Sequence, residues 1–430
     1  MNYRKKNRAN TIAFSCALRI LEISLLLTVI FCLAGCHIFN SGSSNRIGKN
    51  YIYFVLSAPG TFITEKRQFS EDYRAPVSDS TMEENQPVFS FTVSGDNRPA
   101  DDYLSQPDVF SKIAALIKEK NPRLHMTVGD VINGQTTDRD VINRQLKDYL
   151  DVLKTINVVN YISPGNHDII NKTTKELFFE MLNKKAFSDS VKSGIPVYFP
   201  QDFISEDYKV RETKKGSGFI SSGSLDGTSF SFYPGDIVLC PGLSSSYKVK
   251  TPEMLENFFN DGLKSEIFYY FFEYNDVYFV LLNAFEEGYW GAVEGTQLEW
   301  LEKVLRILQD KKVFVFIHTP VYSVLNPDTI TDGSKHVAFS SKKNLNRIRE
   351  LFKQNKVDGV FSGHEHVYNK QSHDGTTFII TALSGEYPFF SDEDGGFYHF
   401  INVKVKKNSW VYETIDSTGA IRFTEEIPFN

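Results

Sequence analysis

The sequence predicts an α/β domain whose core strands run parallel. Three observations carry this. Five short apolar runs each stop at a glycine or proline followed by polar residues. Stretches of helical spacing separate several of the runs. Irregular, polar sequence flanks this part of the chain on its N-terminal side. Short apolar runs bounded by turn residues read as buried strands, and strand–helix alternation implies parallel pairing.

Taken in order, Tyr51 to Leu56 is a candidate strand. Residues 65–86 are charged without a clear period and read as an irregular extension. Val-Phe-Ser-Phe-Thr-Val (88–93) then runs into Ser-Gly-Asp-Asn-Arg. Leu-His-Met-Thr-Val (124–128) runs into Gly-Asp. Val-Val-Asn-Tyr-Ile-Ser (158–163) runs into Pro-Gly-Asn-His-Asp. Val-Phe-Val-Phe-Ile (313–317) runs into His-Thr-Pro, and Val-Asp-Gly-Val-Phe (357–361) into Ser-Gly-His-Glu-His. Helical spacing links Val109, Phe110, Ile113, Leu116 and Ile117. It recurs in Leu298, Leu301, Val304, Leu305 and Leu308, and in Leu345, Ile348, Leu351 and Phe352. Phe268 to Asn283 reads as a hairpin turning at Tyr274-Asn275-Asp276. Between 169 and 265 the alternation stops, and this stretch reads as an insertion over one side of the site. Residues 398–430 read as a β meander. The folded domain is therefore placed at 87–430.

The N-terminus reads as a processing signal. Arg4, Lys5, Lys6 and Arg8 precede an apolar run, Ile23 to Leu33, that ends in Leu-Ala-Gly-Cys36. A basic head, an apolar centre and small residues describe a secretory signal. Arg19 and Glu22 interrupt the longer apolar stretch, which weighs against a spanning helix. The cysteine after Leu-Ala-Gly resembles a bacterial lipobox. That resemblance implies a signal at 1–35, acylation of Cys36, and a Ser/Asn/Gly-rich tether opening the segment 36–86. The protein would then be an exported lipoprotein of the bacterial cell envelope, held on a membrane by acyl chains such as palmitate. Cys240 would be left alone in the domain, so no internal disulfide is expected. Five basic residues and one acid leave with 1–35, so the formal charge falls from −6 to −10. An acidic domain argues against nucleic acid as a partner, since that contact needs clustered Lys and Arg. Oligomeric state is not legible.

The strand ends supply Asp96, Asp130, Asn166, His318, His364 and His366. Carboxylate, amide and imidazole are donors that divalent ions accept. In extended backbone, residues i and i+2 share a face, so His364 and His366 should face one pocket and Glu365 should point away. Isolated Asp and Asn after strands are usually turn residues, but polar residues recurring at five strand ends are not accidental.

The ordered set Asp96-Asn97-Arg98, Gly129-Asp130, Gly165-Asn166-His167-Asp168, His318 and Gly363-His364-Glu365-His366 resembles the calcineurin-like metallophosphoesterases, with purple acid phosphatases as relatives. The resemblance spans about residues 88 to 385. It implies a four-layer α/β/β/α sandwich of two mixed sheets. It further implies two metal ions, divalent or trivalent (Mn, Fe or Zn), about 3.5–4 Å apart, and a hydroxide generated on them that attacks phosphorus. Asp130 would bridge the ions. Asn166, His318 and His364 would complete the second site, and Asp96 and His366 would hold the first. His167 would be the general acid, oriented by Asp168. The substrate would be a small phosphoester, monoester or diester.

One position departs from the family. Arg98 stands where a ligating histidine is often found, and a guanidinium does not bind metal. The first ion would then be weakly held, with Asn133 or solvent as a substitute. Alternatively, Arg98 grips the substrate phosphate, or pairs with a carboxylate such as Asp101 or Asp102. The departure also motivates a rival reading, a surface binding lipoprotein that keeps the fold without turnover. The presence of His167 and Asp168 speaks against it.

Overall fold

A computed structural model describes residues 86–200, 246–257, 259, 266–285, 291–325 and 339–430, with further short strands at Tyr53–Ser57, Thr61–Glu65, Ser221–Leu225, Thr228–Phe232 and Ile237–Leu239. The basic head, the apolar run, Cys36 and the Ser-rich tether lie outside the described residues. Tyr53–Ile63 and Arg74–Asn430 form one compact unit.

Two mixed sheets form its centre. The first contains β1 (Phe89–Ser94), β2 (Leu124–Thr127), β3 (Val159–Ile162) and, from the chain's end, β12 (His399–Val405), β13 (Ser409–Asp416) and β14 (Ile421–Pro428). The second contains β4 (Val197–Pro200), β5 (Ser246–Val249), β6 (Tyr270–Tyr274), β7 (Val277–Leu281), β8 (Lys312–Phe316), β9 (Gly359–Ser362), β10 (Tyr368–His373) and β11 (Thr376–Thr381). Strand order is β14-β13-β12-β1-β2-β3 in the first and β5-β4-β6-β7-β8-β9-β11-β10 in the second. β1, β2 and β3 pair in parallel, with Phe91 opposite Leu124 and Leu124 opposite Val159. So do β7, β8, β9 and β11. β12 to β14 close the first sheet as the expected antiparallel meander. β6 and β7 form the expected hairpin, turning through Asn275 and Asp276 at φ of 50° and 59°.

The sheets pack face to face through aromatic rings. Phe91 of β1 meets Phe279 and Phe314 of the other sheet edge-on, each at 5.2 Å. Trp410 of β13 meets Phe314 at 5.2 Å. Helices cover the outer faces. α1 (Asp108–Lys120) and α2 (Arg139–Ile156) bury Ile113, Ile117 and Ile156 against Phe400 and Ile415 of the first sheet. On the second sheet, Trp300 of α6 (Gly295–Ile307) lies 5.1 Å from Tyr269, and α6 packs beside α7 (Lys342–Gln354). The result is the four-layer α/β/β/α sandwich.

The segment after Ile169 is less foreign than its sequence suggests. Lys172–Phe178 (α3), a π turn at Phe179–Asn183 and Lys184–Lys192 (α4) form one helical stretch, and β4 and β5 extend the second sheet. Phe187 of α4 packs edge-on against Phe199 at 4.8 Å and Tyr270 at 4.7 Å. Pro252–Asn257 (α5) follows β5. Among the described residues, no helix is long and apolar enough to cross a membrane.

Candidate metal centre

Six parallel strands, three from each sheet, end at one place. β1 delivers Asp96, β2 delivers Asp130, and β3 delivers Asn166 and His167. β8 delivers His318, β9 delivers His364 and His366, and β11 delivers Glu386. Hydrogen bonds tie these ends together within and across the sheets. Glu386 N donates to Asp96 O at 2.9 Å, Gly363 N to His318 O at 2.8 Å, and His364 N to Asp96 Oδ1 at 2.9 Å.

The turns are tight. Asp96, Asp130, His364 and His366 hold positive φ of 53°, 55°, 74° and 27°, a region costly for residues with a Cβ. His364 and His366 therefore do not share a face through extended alternation. The left-handed turn brings both to the site, while Glu365 points away to the Ser323 hydroxyl and the Val324 amide. Gly363 is needed for close approach: a Cβ there would lie 2.4 Å from Asp96 Oδ2 and 3.0 Å from His318 Nδ1.

Donor atoms converge in two groups. Asp96, Asp130 and His318 each place one donor within 4.8 Å of the others, and so do Asp96, His366 and Glu386. His318 gives its Nδ1 proton to the Val128 carbonyl at 2.6 Å. Its Nε2 faces Asp130 Oδ2 at 3.6 Å and has no hydrogen-bond partner, as is true of buried Asp96 Oδ2. His364 Nδ1 lies 3.1 Å from Asn166 Oδ1. A carbonyl fixing one ring nitrogen while the other faces carboxylate is how a metal-binding histidine is held. Dry, unpartnered oxygen and nitrogen donors at these separations suit a cation bonded at about 2.0–2.2 Å. The residues present fit the metal ions that this arrangement implies.

The electrostatics point the same way. Burial pushes the Asp96 carboxyl well above its ordinary range, and the charges of Asp130 and Glu386 add to that. Burial acts upward on Asp130 too, but His318, His167 and Arg98 outweigh it and hold Asp130 well below the usual carboxylate range. Burial lowers His318, opposed in part by the Asp130 charge and by its bond to the Val128 carbonyl.

Three expectations change. Asp168 does not hold the His167 ring. Its carboxylate accepts the backbone amides of Asp130, Val131 and Gly165, all at 2.8 Å, and of Ile132 at 3.4 Å. Burial, followed by the Asp130 charge, raises it to about 7. The His167 ring is held instead by the Asn133 carbonyl, 2.5 Å from Nδ1. The Asn133 side chain turns elsewhere, donating to Pro99 O and Ala100 O at 3.4 and 3.2 Å. Arg98 pairs with neither Asp101 nor Asp102. Its Nη2 sits 2.5 Å from Glu386 Oε1 and its Nε 3.9 Å from Asp130 Oδ2, while Asp101 caps the amides of Tyr103 and Leu104.

Glu386 is the residue that the strand-end reading overlooked. The signal was present: the apolar run ending at Leu383 stops at Ser-Gly-Glu, as the other runs stop at glycine and a polar group. His125, inside β2, is buried between the Thr92 and Ser94 hydroxyls at 2.9 and 3.2 Å.

The family model described as calcineurin-like phosphoesterase matches residues 90–368. No curated protein matches the chain. Among solved structures, a dimetal phosphatase from Danio rerio is 15% identical, with a TM-score of 0.44, covering 80% of this chain and 100% of its own. A purple acid phosphatase from yellow lupin (Lupinus luteus) is 14% identical, with a TM-score of 0.44, covering 80% of this chain and 54% of its own. With its family model spanning most of the folded domain and its strand ends meeting in one donor cluster, the chain belongs to the calcineurin-like phosphoesterase family.

Proposed function

We propose that this metallophosphoesterase hydrolyses a small phosphoester at the bacterial cell envelope, with His167 as the proton donor to the leaving group. The observation that carries the reading is the convergence of unpartnered donors, Asp96 Oδ2 and His318 Nε2, on Asp130. Asp96, Asp130, Asn166, His318, His364 and His366 would hold the metal ions. Bound there, the ions would supply charge neutralisation on the phosphoryl oxygens and an acidified water.

The chain's own residues do the rest. His167 is tied to Asp130 through its backbone amide, 3.0 Å from Asp130 Oδ1, so ring and metal ligand move together. With Nδ1 donating to the Asn133 carbonyl, Nε2 is the atom that can hand a proton to a departing alkoxide. Arg98 neutralises part of the carboxylate cluster, which lowers the repulsion that an anionic phosphate would meet.

Hydrolysis of aryl and alkyl phosphates with added Mn tests this, monoesters against diesters. Asp130→Ala should abolish turnover. His167→Asn should slow alkyl substrates about 100-fold or more and p-nitrophenyl substrates much less, because a good leaving group needs no acid. Equal losses on both would remove His167 from that role. The proposed anchor rests on Leu-Ala-Gly-Cys36. In fractionated cells, Cys36→Ala should move the protein from membrane to supernatant. Unchanged membrane association would discard it.

A further inference from the structure

Glu386 occupies an unusual position between a cation and an imidazole. Its Oε1 pairs with Arg98 Nη2 at 2.5 Å, and its Oε2 lies 2.5 Å from His366 Nε2. Beyond that contact, Glu386 Oε2 has no partner. The Tyr387 carbonyl accepts from His366 Nδ1 at 3.1 Å, which turns Nε2 toward Glu386. Asp96 Oδ1 approaches the same Nε2 at 3.7 Å, and the other Asp96 oxygen is buried without a partner. Asp96, His366 and Glu386 are all at most 5% exposed. Candidate ligand atoms from three strand ends thus lie within 4.8 Å of one another. A single proton can serve two of them, whereas a divalent ion serves all three.

We infer that Glu386 is a ligand of the first metal ion, taking the place of the nitrogen donor that Arg98 removes. The inference rests on the metal-dependent reading above and extends it. Arg98 is then the counter-ion of a carboxylate ligand. Its charge against those of Asp96, Asp130 and Glu386 leaves two negative charges, which one divalent ion balances. The two metal sites differ in character. The first has three carboxylates and one imidazole, a hard set that favours Mn²⁺. The second has one carboxylate, one amide and two imidazoles, a set that suits Zn²⁺ or Fe as well.

Metal stoichiometry tests this without reference to activity. The purified domain is stripped with EDTA and titrated with MnCl₂, and Mn paramagnetic resonance is recorded at saturation. Wild type should take two equivalents and show the signal of a coupled pair. Glu386→Ala should lose one equivalent, or bind it about 100-fold or more weakly, and show an isolated-ion spectrum. Adding Arg98→His to that variant should restore the second equivalent by returning a nitrogen donor. Melting curves of the stripped proteins show whether each variant is folded. Two equivalents at wild-type affinity in folded Glu386→Ala would overturn the assignment. A single equivalent in wild type would also overturn it, because the Arg98–Glu386 pair would then fill the first site by itself. No Mn binding at all in wild type would instead sink the metal-dependent reading on which the assignment rests.

Discussion

Asp168 stands beside His167 in sequence but serves a different loop in space. Four backbone amides point at its carboxylate, three of them from the turn that carries Asp130. Those amides are buried, and without an acceptor each costs on the order of 1–3 kcal/mol. Asp168→Ala should therefore lower stability by about 3 kcal/mol or more and weaken Mn binding by releasing Asp130. If Asp168 acted only through His167, melting temperature and Mn affinity would stay at wild-type values and only kcat would fall. Calorimetric melting with a Mn titration separates the two. Much of the site was legible at this scale because metal donors are a small set of residue types and they recur at strand ends. Which atom each donor turns toward was not. Neighbours in sequence, such as His167 and Asp168, part company at a turn. Glu386 and Arg98, far apart in sequence, meet as an ion pair.

Elements were legible where their period was uninterrupted. The hairpin at Tyr270–Leu281 and the helices α1, α6 and α7 follow the predicted stretches closely. The helical stretch at 172–192 did not announce itself because its π turn adds a residue at Phe179–Asn183 and shifts the apolar stripe out of the 3.6-residue period. Strand β2 carries a prediction of its own. His125 is fully buried on it between two hydroxyls, and burial lowers its pKa to about 3. The unfolded chain takes up a proton near pH 6.5 that the folded chain refuses. A lowered histidine contributes its full stability above the unfolded value and loses it as pH falls toward the folded value. Between pH 7 and 5 this one group should cost about 2 kcal/mol. His125→Gln does not titrate, so the stability gap between wild type and variant should narrow by that amount. Urea denaturation at the two pH values measures it, and a constant gap would mean that His125 is not kept neutral by the fold.

At the scale of the whole molecule, the order of the strands could not be read from the sequence. β12 pairs with β1 from the far end of the chain, and β11 rather than β10 lies beside β9. Such pairings are set by which apolar faces meet, and local period carries no record of that. The consequence is that the donor cluster draws on both sheets, with β1, β2 and β3 on one side and β8, β9 and β11 on the other. A bound ion then acts as a cross-link between the two halves of the sandwich, adding to the aromatic contacts of Phe91 and Trp410. Because the unfolded chain does not assemble these donors, ligand at 100 times its dissociation constant should stabilise the fold by about 2.7 kcal/mol. Chelation should accordingly lower the melting temperature by something on the order of 5 °C. Asp130→Ala should start from the lower value and be indifferent to EDTA, since a carboxylate of the donor cluster is gone. Scanning calorimetry of both proteins, with Mn and with EDTA, reads this directly. A wild-type melting point that ignores metal removal would mean that the ions do not join the sheets.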